Sequence, residues 1–150
     1  MGTSLEDVRM LRDAEAVADG VWQNIVTWKP LAQEVVGSQL ARAADSIGAN
    51  IAEAFGRYHY GEKLRFLYYA RGSLFETKYW LNRAQKRQLM ASEQTDNYAI
   101  QLDGLARQLN AFINSLKSQR HLHNTLREPT GEYSTNLSVE QPVLIKDNIE

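Results

Sequence analysis

Residues 46–57 read SIGANIAEAFGR, and residues 69–76 read YARGSLFE. The first stretch repeats apolar residues every three or four positions, which predicts an amphipathic helix that stops at a left-handed Gly56. The second stretch keeps this spacing on a following helix, with Gly72 and Ser73 as a notch of small residues. Neither stretch holds a paired nucleophile and base, a cluster of metal ligands or a glycine-rich phosphate loop. The function must therefore be inferred from the surfaces of the helices.

The positions of the prolines leave room for four long helices. Proline occurs at Pro30, Pro129 and Pro142, so the chain between the first two is free to be helical. The apolar spacing predicts helices from about 4 to 28, 30 to 56, 60 to 89 and 91 onward. Because the connections are short, sequential helices are antiparallel, and we expect an all-α, up-down-up-down four-helix bundle. The bundle is predicted over residues 1–127, with a disordered, flexible acidic tail over 128–150.

The predicted core face of each helix follows from the same spacing. The expected core residues are Leu5, Val8, Leu11, Ala14, Ala18, Val21, Trp22 and Ile25 on helix one; Val36, Leu40, Ala43, Ile47, Ile51 and Ala54 on helix two; Leu64, Leu67, Ala70, Leu74, Leu81 and Ala84 on helix three; and Tyr98, Leu102, Leu105, Leu109, Phe112 and Leu116 on helix four.

Composition argues against several classes of protein. The 150 residues include no Cys, which argues against disulfide scaffolds and thiolate zinc sites and suits a cytoplasmic location. No run of 18 apolar residues and no signal-peptide pattern is found, so we expect no membrane segment. His59 is expected in a turn, and His121 and His123 at a frayed helix end, none at the Glu-x-x-His spacing of a di-iron bundle. We therefore expect no metal, no cofactor and no enzymatic activity.

Charge is distributed unevenly along the chain. Residues 1–127 hold 16 Lys and Arg against 13 Asp and Glu, whereas residues 128–150 hold one Lys against five acids. Within residues 57–87 the count is eight basic residues to two acidic ones. A basic body fits an anionic partner, and solvated helix faces that bind nothing can have the same composition.

Polar residues form a stripe beside the apolar face of helix two. On a helical projection, five residues fall within an arc of about 80°: Arg42, Ser46, Asn50, Glu53 and Arg57. They form either a partly buried network that fixes helix register or a subunit contact, or a set of solvated i,i+4 pairs. Arg71 projects onto the core side of helix three, where Glu53 is its expected partner and Glu76 the second choice.

Two features of helix three predict a contact with another helix. Gly72 costs about 1 kcal/mol relative to Ala inside a helix, so a close approach by a helix of this chain or of another subunit is expected there, with a helix break as the alternative. The outward face carries Arg65, Tyr69, Trp80, Arg83 and Arg87, with Lys86 beside them. Aromatic and Arg side chains in this arrangement fit nucleic-acid binding, a subunit interface, or an exposed face without a partner.

Two linked motifs carry a resemblance to a known family. They read QLxRAAxSIxANIAExFGR at residues 39–57 and FLYYARGSLxE at residues 66–76. The segment from about residue 36 to residue 84 resembles the small bacterial four helix bundle protein family, first known from proteins encoded in intervening sequences of 23S rRNA genes. The sequence departs from the family pattern at Ala54, where the family usually has Gly.

The resemblance implies a bundle that assembles into a homo-oligomeric ring, often a pentamer, with a basic central face. A related branch is the accessory variability protein of diversity-generating retroelements. The resemblance to this branch implies a partnership with a reverse transcriptase and binding to nucleic acid.

Two hypotheses about function follow. In the first, the protein is a non-enzymatic homo-oligomer that binds RNA or DNA, or a nucleoprotein partner, through a basic helix surface. In the second, it is a protein-interaction scaffold, for example an accessory subunit of a reverse transcriptase, with no direct nucleic-acid contact. The expected nucleic-acid-binding residues are Arg57, Lys63, Arg65, Arg83, Lys86 and Arg87. The expected structural and assembly residues are Arg42, Ser46, Asn50, Glu53, Tyr69, Arg71, Gly72, Ser73, Glu76 and Trp80.

Overall fold

The computed structural model describes residues 4–127, and these form four antiparallel helices. Helix α1 spans Leu5–Ile25; α2 is a continuous helical segment made of one turn at Pro30–Ala32, a π-helical turn at Gln33–Gly37 and an α-helix at Ser38–Gly56; α3 spans Tyr60–Lys86; and α4 spans Ser92–Arg127. The predicted all-α four-helix fold is confirmed. The predicted tail over 128–150 lies outside the described residues.

Contacts between the helices establish the up-down-up-down order. Arg71 of α3 contacts Asn110 of α4. Lys78, about two turns later in α3, contacts Asp103, which is about two turns earlier in α4. The two helices therefore run in opposite directions. The main helix pairs are α1 with α2, α2 with α3, α3 with α4, and α4 with α1, so that α1 and α3 lie on a diagonal.

A capping box fixes the start of α1 at the predicted residue. The backbone N–H of Asp7 donates to Ser4 Oγ at 3.1 Å, and the backbone N–H of Ser4 donates to Asp7 Oδ2 at 2.9 Å. Each side chain thus satisfies a backbone donor that has no partner within the helix.

The buried core follows the predicted apolar lines except on α1. Leu5 is 90% exposed and Trp22 is 58% exposed, so their predicted core positions are wrong. The buried line instead runs through Met10, Ala14, Val17 and Val21. Leu5 lies in the turn before the first core layer, and Trp22 is turned about 100° from Val21 around the helix axis, toward solvent.

Two predicted helix ends differ from the structure. Gly56 is not left-handed, since no described glycine has a positive φ, and α2 ends at an extended Arg57 with φ −87° and ψ 144°. Helix α3 ends at Lys86 and not at residue 89. The left-handed residue is Gln88, with φ 58°, and it lets the N–H of Leu89 donate to the carbonyl of Ala84 at 2.9 Å. Glycine usually takes this position, so the sequence carried no signal for it.

The side chain of Tyr98 joins α4 to α1. Asn24 Nδ2 donates to the Tyr98 hydroxyl at 3.2 Å and to the carbonyl of Gly20 at 2.9 Å. Burial raises the pKa of Tyr98, an effect that the hydrogen bond from Asn24 partly opposes. Burial therefore favours the neutral phenol at this position.

Within residues 4–127, every helix is too short or too polar to cross a lipid bilayer.

A pair of glycines on α2 tests how tightly α1 packs on it. A Cβ atom on Gly37 would lie 2.7 Å from Cγ2 of the buried Ile25, whereas one on Gly48 would lie at ordinary contact distance, 3.7 Å, from Leu11. We expect Gly37→Ala to lower the free energy of unfolding by about 1–2 kcal/mol through overpacking. Gly48→Ala should raise it by about 1 kcal/mol through helix propensity. Urea denaturation measures both, and equal stability of the two variants would contradict the packing described for Gly37.

Candidate functional site

The outward side of α3 carries a line of aromatic residues around a glycine. This outer stripe consists of Tyr68, Gly72, Phe75 and Tyr79, at steps of four, three and four residues. Phe75 is 59% exposed, Tyr79 is 56% exposed and Tyr68 is 36% exposed. The spacing is that of a helix-packing seam, and it lies opposite the buried seam of the same helix.

Gly72 forms the open centre of the outer stripe. A Cβ atom placed there would meet no described atom within 4 Å, so the expected close approach by a helix of the same chain is wrong. A helix break is also wrong, because α3 continues from Tyr60 to Lys86. The neighbouring Ser73 is half-buried, and its carbonyl accepts a hydrogen bond from Thr77 Oγ1 at 2.8 Å. An approach by another subunit stays a prediction.

The predicted partner of Arg71 is also wrong. Its Nη1 donates to Asn110 Oδ1 at 3.1 Å, and its guanidinium carbon lies 5.1 Å from the centre of the Tyr68 ring. Glu53 pairs with Arg57 of its own helix at 2.5 Å. Because Glu53 and Arg57 are four residues apart on α2, they meet without any contribution from α3.

The polar stripe of α2 makes local bonds. Asn50 Nδ2 donates to the carbonyl of Ser46 at 2.8 Å, and the Glu53–Arg57 pair is the next contact along the helix. Arg42 is exposed. Within the described chain these bonds correspond to the i,i+4 alternative, and a role of the stripe in a subunit contact stays a prediction.

Glu76 and Trp80 contact each other on α3. The indole N–H of Trp80 donates to Glu76 Oε1 at 3.4 Å, and the Trp80 ring packs against the edge of the core. Trp80 is therefore half-buried, whereas Tyr69 is 52% exposed. Of Tyr69 and Trp80, both predicted assembly residues, Tyr69 therefore has the more exposed side chain.

The six basic residues predicted to bind nucleic acid form two separate groups. Arg57, Lys63 and Arg65 lie near the start of α3, and Arg83, Lys86 and Arg87 lie at its end. Arg65 and Arg83 are separated by about 27 Å along the helix axis at 1.5 Å per residue.

The first group is partly engaged in contacts within the chain. The ammonium group of Lys63 donates to the carbonyls of Ala54 and Phe55 at 3.1 and 3.5 Å, at the C-terminal end of α2. Arg57 lies 4.8 Å from the centre of the Phe66 ring. Arg65 is exposed.

The second group is more accessible. Lys86 and Arg87 are exposed at the end of α3. Arg83 donates from Nη2 to Asn82 Oδ1 at 2.7 Å, and its guanidinium lies 5.9 Å from the centre of the Tyr79 ring. The Nε atom of Arg83 is buried and makes no hydrogen bond within residues 4–127.

A groove runs between the first half of α3 and the last part of α4. This terminal groove is lined by Gly61, Leu64, Arg65, Tyr68 and Tyr69 of α3 and by Lys117, Arg120, His121 and Asn124 of α4. None of these described lining residues is acidic.

The α4 side of the terminal groove was not predicted from the sequence. His121 was expected at a frayed end, but α4 continues to Arg127 and holds His121 beside α3. One available signal was that residues 104–127 contain no Asp or Glu.

Farther along the same pair of helices, acidic and basic groups do pair. Lys78 of α3 forms an ion pair with Asp103 of α4. The hydrogen bond and the charge of Lys78 hold the pKa of Asp103 below its ordinary value. Positive charge is therefore paired with a carboxylate at this end of the α3–α4 contact, unlike in the terminal groove.

Among residues 4–127, no cluster of three His, Asp or Glu side chains is arranged to hold a metal ion.

Comparisons with known proteins identify relatives of this bundle. The sequence profile of the family described as 23S rRNA-intervening sequence protein matches residues 6–111. A solved structure from Bacteroides thetaiotaomicron VPI-5482, described as a protein with unknown function from the S23 ribosomal protein family, has a similar fold, with a TM-score of 0.66 at 24% sequence identity. The similarity covers 73% of this chain and 99% of that chain. No curated protein matches.

The position of Lys63 leads to a test of its role. We expect Lys63→Met to lower the free energy of unfolding by about 1 kcal/mol, because carbonyls at the end of α2 lose a charged donor. Lys29→Met is the matched control, since the Lys29 side chain is exposed and makes no capping bond. Thermal or urea unfolding compares the two. If the Lys63→Met protein is as stable as the control, this prediction is wrong, and the Lys63 ammonium group of the wild type is free to bind a ligand.

Proposed function

The chain belongs to the family of 23S rRNA-intervening sequence proteins, and we propose that it is a non-enzymatic protein that assembles into a homo-oligomer and binds nucleic acid through the basic surface of α3. The observation that carries the proposal is the outer stripe, where Phe75 and Tyr79 are more than half exposed beside an open Gly72. Large exposed aromatic residues in one line mark a surface that another molecule covers.

A second copy of the chain fits this surface. The three- and four-residue steps of the outer stripe are those of helix-to-helix packing, and a glycine at the centre lets a partner helix come close. A contact between the stripe and a different face of the next copy is heterologous, and heterologous contacts form a ring when the rotation between copies closes. The resemblance to the family implies a pentamer, which we adopt as the proposed ring size.

Assembly helps a weakly basic subunit to bind a polyanion. Arg65, Arg83 and Arg87 lie beside the outer stripe and present cations on the same side of α3. The guanidinium groups of these three residues are charged donors that suit phosphate oxygens. A ring adds the phosphate contacts of its copies, so that modest contacts in each subunit yield strong binding overall.

The outer stripe also supports the alternative of a protein-interaction scaffold. Tyr, Phe and Arg side chains are enriched in protein–protein interfaces. In that case the stripe docks a different polypeptide, the chain is monomeric by itself, and nucleic acid makes no direct contact.

Assembly is tested by placing charge on the outer stripe. We expect the double variant Phe75→Glu and Tyr79→Glu to be a monomer of 17.1 kDa by light scattering, because two carboxylates cannot be buried in the contact without partners. The matched control is Leu31→Glu with Ile100→Glu, which charges two residues that are 72% and 68% exposed away from α3. The control should keep the wild-type mass, and circular dichroism should show both variants folded. A wild-type protein that is a monomer at micromolar concentration contradicts the proposed assembly.

Nucleic-acid binding is tested at the end of α3. We expect the double variant Arg83→Gln and Arg87→Gln to bind RNA several-fold more weakly and to have a smaller dependence on salt, because fewer counterions are released. Fluorescence anisotropy at roughly 50 and 200 mM salt measures both effects. A wild-type protein that is monomeric and binds neither mixed RNA nor mixed DNA would favour the scaffold alternative.

A further inference from the structure

The terminal groove gathers cations from two helices that are far apart in sequence. Arg65 reaches it from α3, and Lys117 and Arg120 reach it from α4. The guanidinium of Arg120 lies over Gly61, where it would be 3.7–3.8 Å from a Cβ atom. A side chain of α4 thus lies against the start of α3, which brings the two sets of cations to one site.

The cations of the terminal groove are not neutralised by acids of the groove. No described lining residue is an Asp or Glu, and α4 has none over residues 104–127. Arg71 and Lys117 lie over the same Tyr68 ring, at 5.1 and 5.6 Å from its centre. Two cations at one aromatic ring add to the positive potential around it, and a bound anion would lower that potential. The electrostatics of the groove therefore favour a ligand with several negative charges.

An aromatic side chain gives the terminal groove a second kind of contact. Tyr69 is 52% exposed, and its ring packs against the Phe66 ring at an interplanar angle of 88°, with 5.8 Å between the ring centres. An exposed aromatic ring next to cations is a platform on which a nucleic-acid base can stack while its phosphates meet Lys and Arg. Bases in a duplex are already stacked on each other and cannot reach such a ring.

We propose that the terminal groove is a binding site for single-stranded polynucleotide, with Arg65, Lys117 and Arg120 at the phosphates and Tyr69 under a base. The proposal rests on the proposed nucleic-acid binding and adds the class of nucleic acid and the α4 residues to it. Stacking and phosphate contacts are common to RNA and DNA, so the shared chemistry is that of an unpaired strand. His121 and Asn124 line the same groove and can donate hydrogen bonds to sugar or base atoms.

The test uses the full-length protein and compares its affinity for an unpaired strand with its affinity for a duplex. Fluorescence anisotropy is measured with labelled oligo(U) and oligo(dT) of about 12 nucleotides, and with a duplex of equal length. We expect the wild type to bind the single strands more tightly than the duplex. A stronger signal with oligo(U) than with oligo(dT) assigns the strand as RNA, and the reverse assigns it as DNA.

The variants separate phosphate contacts from stacking. Lys117→Gln with Arg120→Gln should weaken binding at least ten-fold and reduce the salt slope by about 1.4, since each phosphate contact on a single strand contributes about 0.7. Tyr69→Leu should weaken binding to single strands about ten-fold and leave the salt slope unchanged. The matched control is Arg12→Gln with Lys29→Gln, which removes the same charge from exposed positions outside the groove. Light scattering must show wild-type mass for every variant.

The outcomes distinguish this site from the general proposal. A wild type that binds no polynucleotide defeats the proposed nucleic-acid function itself. A wild type that binds, together with a Lys117 and Arg120 variant whose affinity and salt slope equal those of the control, places the site elsewhere and overturns this inference alone. Equal affinity for duplex and single strand, with no effect of Tyr69→Leu, overturns the assignment to an unpaired strand.

Discussion

Helix α3 has apolar side chains on two opposite sides, and its own chain covers one of them. Leu67 and Leu74 are fully buried on the inner side, while Phe75 and Tyr79 are more than half exposed on the outer side. Each helix of the bundle packs mainly on two neighbours, and α1 lies across the diagonal from α3. No helix of the described chain is left to cover the outer side. The hydrophobic effect therefore favours a molecule that covers the outer side of α3 and removes its apolar surface from water.

The helices and their core lines were predictable because the spacing of apolar residues indicates which face of each helix points to the core. Leu102, Leu105 and Leu109 repeat at steps of three and four, and all are buried in α4. The left-handed residue that follows α3 was not predictable, since Gln88 adopts a conformation for which glycine is the usual signal. The predicted core position of Trp22 was wrong for a different reason. Its apolar side chain fits the broad stripe of α1, but the buried line is narrower and passes through Val21.

The partners of charged side chains were harder to predict than the core. Glu53 was the expected partner of Arg71, but the relative height and rotation of two packed helices decide which groups meet, and spacing within one helix does not contain that information. The same holds for the terminal groove, whose two sides lie about fifty residues apart in the chain. The sequence offered the absence of acids in the second half of α4, which constrains the charge of the surface and not its partner.

The outer stripe and the terminal groove share one residue, which makes assembly and ligand binding dependent on each other. Tyr68 is the first member of the stripe, and its ring also lies under Arg71 and Lys117 at the groove. A copy that packs along the stripe would bury part of this ring and lower the local dielectric around both cations, which strengthens their attraction to an anion. A strand bound in the groove would in turn neutralise the charge that repels the next copy. If both proposals hold, oligomers and polynucleotide stabilise each other, and this coupling needs no movement of the helices.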